Sequence, residues 1–365
     1  MNKENKDYLI PKKISDHVLM VGVYWKNHAP GGISSVVNEY ANNFETFKYI
    51  TTAASRDENK FKKLYFAIRG LFLFVLRLLF DRQIKIVHVQ GSFGASYDRK
   101  KIFVRIAKIF HKSVIWHMHA SQFVPFYESR KDKKNIVKTL NLSDSLIVLS
   151  QYYKDFYEEI GVEKEKIRIL NNIVPHPSLN KNNPIDRNIN FLFLGEISNR
   201  KGVFELLDAI ALHKDELKNK ISLKIGGNGE IERLKNAINN LGLRSFVRFE
   251  GWVNGQKKID LLNWADVYIL PSHNEGLPIS ILEALSYKCP IISTPVGGIE
   301  EVVHNNENGL IVQPGNLDEI YQAISYYVSN PDDILKEGEI SQQIVFSFYP
   351  ESVFESLKEI YNKYL

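Results

Sequence analysis

The residues best suited to chemistry are concentrated in one stretch, Leu270–Gly298, which reads LPSHNEGLPISILEALSYKCPIISTPVGG. Two carboxylates, Glu275 and Glu283, stand eight residues apart across the start of a predicted helix. The helix is expected to open around Leu277 with Pro278 in its first turn, where a missing N–H leaves nothing unpaired. The amides of Ile279 and Ser280 then have no partner inside the helix and, with the helix dipole, form a seat for an anion such as a diphosphate. Eight residues are about two helical turns, roughly 80° from superposition. One carboxylate can therefore reach beyond the anion and the other back alongside it. Spacing alone leaves a second reading open, an acid favoured by the dipole plus an ordinary surface glutamate.

Two further segments carry candidate groups. FLGEISNRKGVFELLDAI, from Phe193, places Arg200 and Lys201 in a strand-to-helix loop, where a cation can neutralise charge developing on a departing group. WHMHASQFVPFYE, from Trp116, ends a strand with His117 and His119, two apart and so on the same side of extended chain. PGGISS, Pro30–Ser35, follows the first apolar run and opens a helix with Gly31 and Gly32; it is short of a full dinucleotide fingerprint and also fits a simple glycine turn.

These loops need elements to hold them. Eleven short apolar runs recur along the chain, from VLMVGVY at Val18 to GLIVQP at Gly309, separated by helical patterns. Continuous rather than alternating apolar character means that both faces of each strand are buried, as in a parallel sheet covered by helices. The expected architecture is doubly wound α/β, in which ligands bind beyond the carboxyl ends of the strands. The candidate loops occupy those ends. Asn171–Asn190, with three prolines and seven asparagines, interrupts the rhythm as an interdomain linker. The expected domains are 1–175 and 176–345, each the size of one Rossmann-like sheet.

Composition narrows the function further. A chain of 365 residues, 44% hydrophobic and 24% charged, has apolar material for two cores. The single cysteine, Cys289, excludes a disulfide framework and a cysteine-cluster metal site. The polar start, MNKENKDYLIPKKISDH, does not resemble a signal peptide, so a cytoplasmic location is expected. Charge is uneven: residues 60–112 hold 13 Lys or Arg against Asp81 and Asp98, a local +11 within a net +5. That asymmetry points to an anionic partner. Within it, Phe61–Phe80 plots as a helix with basic residues beside a broad apolar face, which suits either an interfacial helix or one buried on the first sheet. Aliphatic interleaving suits lipid better than stacked bases, so no nucleic acid partner is expected.

NEGLPISILEALSYKCPIISTPVGGIEEVV resembles the donor-binding motif of family 4 glycosyltransferases, and the resemblance extends through NGLIVQPGNLDEI, GGNGEIERLKNAINNLGLRSFVRFEGWV and the Lys201-Gly202 pair. It implies the GT-B fold, two Rossmann-like doubly wound parallel-sheet domains facing across a cleft, with the last helix (346–365) crossing back onto the first domain. It implies a retaining, metal-independent enzyme without a cofactor, taking a nucleotide sugar and passing the sugar to a saccharide or lipid-linked saccharide acceptor, as in surface polysaccharide synthesis. Glu275 would then stand at the transferred sugar, Glu283 on the nucleotide ribose, and Gly276, Leu277, Ile279 and Ser280 along the diphosphate. Val253 and Asn254 would frame the base, His119 would lie beside the donor sugar and acceptor, and Gly31 and Gly32 would form the acceptor-side loop. One position departs from the pattern: Glu196 stands where many relatives have arginine, which makes Arg200 the candidate second cation and requires Glu196 to turn toward a cation rather than toward the phosphates. A nucleotide-sugar epimerase of the same architecture and a non-catalytic nucleotide-sugar-binding protein are the competing readings.

Overall fold

A computed structural model describes residues 8–24, 32–53, 60–119, 122–181 and 188–365. The chain forms two compact units, Met1–Ile173 together with Phe348–Leu365, and Val174–Ser347. Each is built on six parallel strands with helices between them.

In the first unit the strands are β1 (Val18–Gly22), β2 (Lys48–Thr51), β3 (Ile86–Gly91), β4 (Ser113–Met118), β5 (Ser145–Val148) and β6 (Ile167–Ile169). Their order is β2-β1-β3-β4-β5-β6. The chain runs outward from β1 to β2, then returns across β1 to β3, so the winding reverses between β1 and β3. All residues of β1, β3 and β5 are buried, which is why they read as unbroken apolar runs. The edge strand β2 is absent from the sequence-derived set because only Ile50 of its four residues is buried and no apolar run marks it.

Helices cover this sheet through large side chains. Tyr97 stacks on Trp116 with ring centroids 5.4 Å apart, and Phe74 meets Phe103 edge-on at 5.0 Å. Phe74 belongs to the helix Lys60–Phe80, which lies close to β2: Gly70 sits so near the Thr51 carbonyl that an added Cβ would come within 2.6 Å of it. The helix Pro350–Asn362 packs on this same unit, burying Val353, Phe354, Leu357, Ile360 and Tyr361, a stripe with helical period. Phe354 lies 5.5 Å from the Tyr40 ring, and the Tyr361 hydroxyl is 2.6 Å from His88 Nδ1. Each such buried side chain contributes about 1.5–3 kcal/mol.

The second unit repeats the plan with β7 (Ile189–Leu194), β8 (Ile221–Gly226), β9 (Val247–Gly251), β10 (Val267–Leu270), β11 (Ile291–Ser293) and β12 (Gly309–Ile311). Their order, β12-β11-β10-β7-β8-β9, places the reversal of winding between β7 and β10. Chain leaving those two strands diverges, and the crevice between the diverging loops is where a doubly wound sheet holds its ligand.

Candidate functional site

The loop after β7 runs through Gly195 and Glu196 into a 3₁₀ turn, Asn199–Lys201, and then the helix Val203–Leu212. Gly202 joins turn to helix with φ +69°, and a Cβ there would collide with the carbonyl of Pro271, the residue that follows β10. Only glycine satisfies both demands. The consequence is close contact between the two loops: the amide of His273 donates to the Arg200 carbonyl at 2.9 Å.

Across this seam the charges interlock. Lys201 Nζ forms a direct ion pair with Glu275 Oε1, with 12% and 6% of the two side chains exposed. Ser272 Oγ donates to the same carboxylate oxygen at 2.7 Å. Arg200 Nη1 donates to the Asn274 carbonyl at 3.0 Å and lies 3.8 Å from Glu275 Oε2, while Nη2 binds Glu196 Oε2 at 2.9 Å. Glu196 is thus engaged by a cation. The Glu275-Gly276 backbone is fixed from below by Gly297 (φ +63°), where any Cβ would strike the Glu275 carbonyl, and by Gly298 N–H, which donates to Gly276 O at 2.8 Å.

The helix that follows spans Ile279–Ser286, two residues later than the sequence suggested. Pro278 is its N-cap residue with extended backbone rather than part of its first turn, and Leu277 is a buried loop residue. The first N–H groups to turn back onto the Pro278 carbonyl are those of Ile281 and Leu282, so the amides of Ile279 and Ser280 still open the helix. One turn on, Glu283 is buried and ion-paired with Lys258 of the helix Gly255–Trp264. Beside it, Val253 is buried against Gly226, Asn254 is the exposed N-cap of Gly255–Trp264, and Trp252 is 46% exposed.

The remaining sequence-derived residues belong to the first unit. His119 immediately follows β4, with Nε2 2.5 Å from Gln90 Oε1 and its ring 4.0 Å from that of His117. Burial, reinforced by the Lys100 ammonium, pushes the His119 imidazole down to about 3, so it is neutral near pH 7. Lys100 is itself fully buried, donating to the Gln90 carbonyl at 2.8 Å, and burial drives its pKa well below the usual lysine range. His117 is buried with Nδ1 3.4 Å from the Tyr40 hydroxyl, and burial likewise depresses its pKa. Gly32 begins the helix Gly32–Asn43, and Gly31 lies outside the described residues.

The second unit therefore brings Arg200, Lys201 and Glu275 together between the loops after β7 and β10, with the helix Ile279–Ser286 opening four residues beyond Glu275. Sequence reasoning missed Ser272, Lys258 and Gln90. Ser272 had a faint signal, a small polar residue in the loop beyond β10; Lys258 and Gln90 had none, because their partners are 25 and 29 residues away. Among the described residues there is no group of three or more His, Cys, Asp or Glu side chains placed to hold a metal ion.

Comparison with known proteins agrees with this fold. Residues 177–343 match the family described as glycosyl transferases group 1. The chain is 26% identical over 252 residues to an uncharacterized glycosyltransferase of Haemophilus influenzae, covering 68% of this chain and 69% of that protein. It is 23% identical over 308 residues to a 41.2 kDa protein in the cps region of Klebsiella pneumoniae, covering 77% and 83%. Two glycosyltransferases of Methanocaldococcus jannaschii are spanned over only 59% and 60% of their length. In three dimensions the chain resembles the Anabaena protein Alr3699/HepE, solved in complex with UDP, with a TM-score of 0.77, 18% identity, and coverage of 95% and 99% of the two chains. The two six-stranded units are those of the GT-B fold, and the segment 177–343, which holds the loops after β7 and β10, is similar to the glycosyl transferases group 1 family.

Proposed function

We propose that this protein transfers a sugar from a nucleotide-sugar donor to a saccharide acceptor with retention of configuration and without a metal ion. The acceptor in this reading is a lipid-linked saccharide at the cytoplasmic face of a membrane, and the pathway is assembly of a surface polysaccharide. The observation that carries the reading is the convergence of Lys201, Arg200 and Glu275 where the winding of the second sheet reverses, on the loop that leads into the helix opened by the amides of Ile279 and Ser280. A diphosphate seated on those amides has two cations at hand to absorb the charge that grows on it as the sugar departs, which is the task a metal ion would otherwise perform. In this reading Glu275 serves the sugar and Glu283 the nucleoside. The match to a protein solved with UDP and to one from a cps region supports a uridine nucleotide and a polysaccharide setting.

The test is a panel of nucleotide sugars incubated with the chelator-treated protein, reading slow donor hydrolysis and, with a saccharide acceptor, the anomeric coupling constant of the product. Turnover of one donor with retained configuration is expected. Strict dependence on added manganese or magnesium, or an inverted product, would overturn the mechanism. Nucleotide binding without turnover of any donor would favour a binding protein.

A further inference from the structure

The helix Lys60–Phe80 has two apolar faces. One is buried: Gly70, Phe74 and Leu78 pack toward the first sheet and its neighbouring helix. On the other, Phe61, Leu64, Tyr65, Ile68, Phe72 and Leu79 stand in solvent, each 52–85% exposed. At about 100° per residue these six fall within a sector of roughly 100°, centred about 130° from the buried face. A folded protein rarely leaves so continuous an apolar stripe facing water without a partner for it.

Charge selects the partner. The helix contains five Lys or Arg and no acid. Arg69, exposed, borders the stripe, and Arg77 lies farther round the same flank. The adjacent helix Ala95–Ile109 adds exposed Ile102, Arg105 and Ile109. A second copy of this chain, meeting the first through the same patch, would set one strongly basic region against another. An anionic surface removes that repulsion. No helix among the described residues is long and apolar enough to cross a membrane, and a stripe along a helix about 30 Å long fits a helix lying in the membrane plane.

We infer that Lys60–Phe80 is an interfacial helix, its Phe61–Leu79 stripe sunk about 5–10 Å into the headgroup–acyl boundary of a bilayer containing anionic lipid and its basic flank paired with the headgroups. The inference rests on the proposed function only in giving a lipid-linked acceptor its route of approach; the stripe and the charge stand independently of it.

The test is flotation of the full-length protein with phosphatidylcholine vesicles, with and without phosphatidylglycerol, alongside donor turnover in the same samples. Binding is expected with phosphatidylglycerol at low salt, falling at least ten-fold in about 1 M salt, where the Debye length is near 3 Å. Ile68→Ser combined with Phe72→Ser should lower partitioning at least ten-fold without moving the unfolding temperature or donor turnover, since both side chains are already in water. Absence of flotation at low salt, or equal flotation of the double variant, would overturn the inference. So would conversion of an oligomer to a monomer by the double variant, which would assign the stripe to protein contact. Absence of donor turnover in the unsubstituted protein, with its flotation intact, would instead sink the transferase reading and leave this one standing.

Discussion

Lys201 and the buried Glu275 form an ion pair that ties the loop after β7 to the loop after β10, and Ser272 shares the same carboxylate oxygen. The candidate sugar-side carboxylate is thus held on the candidate phosphate-side cation. A bound diphosphate would draw Lys201 away, so donor binding would change the charge environment of Glu275.

Glu275→Gln keeps the shape of the group and removes its charge. Losing a charge-assisted hydrogen bond in this setting costs about 1.5–3 kcal/mol, so turnover should fall roughly ten- to hundred-fold. Nucleotide affinity, measured by calorimetry, should move by less than about three-fold, near 0.6 kcal/mol. Normal turnover would remove Glu275 from the chemistry.

Arg200→Ala should lower donor kcat/KM at least ten-fold, about 1.4 kcal/mol, while the unfolding temperature hardly changes, because the guanidinium is partly exposed and its pairing with Glu196 is weakly stabilising. Releasing Arg200 by Glu196→Gln should act in the opposite direction and raise donor affinity by up to about five-fold. Equal kinetics in all three proteins would take Arg200 out of the site.

Glu283→Ala should weaken nucleotide binding about ten-fold or more and leave turnover at saturating donor nearly intact, because its carboxylate lies beyond the helix start rather than beside Glu275. A fall in kcat with unchanged KM would contradict the division of roles between the two carboxylates.

Acid should destabilise the first unit through its buried imidazoles. Burial, with the nearby His119 adding to it, pushes His88 down to about 3, against roughly 6.5 in an unfolded chain. Between those values the unfolded state binds a proton that the folded state refuses. Stability is therefore full above about pH 6.5 and falls as pH drops toward 3, by up to about 1.4 kcal/mol per pH unit for this residue. Urea unfolding at several pH values should show that slope, and His88→Gln should flatten it even if it lowers stability at pH 7. An unchanged slope in the variant would mean that other groups set the acid limb.

Much of this was legible in the chain. Short apolar runs marked eleven of the twelve strands among the described residues, most plainly β1, β3, β5, β7 and β10, whose burial on both faces leaves no polar side to disguise them. The short edge strand at Lys48–Thr51 escaped because KYIT holds no apolar run to mark it. Glu275, Glu283 and the start of the helix between them were visible as local spacing, although Pro278 proved to cap the helix rather than to begin it. Lys258 against Glu283 and Gln90 against His119 were not legible, since each contact is made by the packing of elements distant in the chain. The requirement for glycine at 202 becomes plain only when Pro271 is seen beside it.

The helix Pro350–Asn362 has a consequence for the order in which the protein is made. It completes the first unit, yet the ribosome reaches it only after all of Val174–Ser347. At 5–20 residues per second, the intervening segment takes roughly 9–35 s to synthesise. For that interval the surface around Tyr40 and His88, later covered by Phe354 and Tyr361, waits open to water while the second unit is free to fold around its own sheet. The half that begins first is therefore finished last, and the nascent chain is most exposed to chaperones and to aggregation on the side that carries the aromatic pocket for its own final helix.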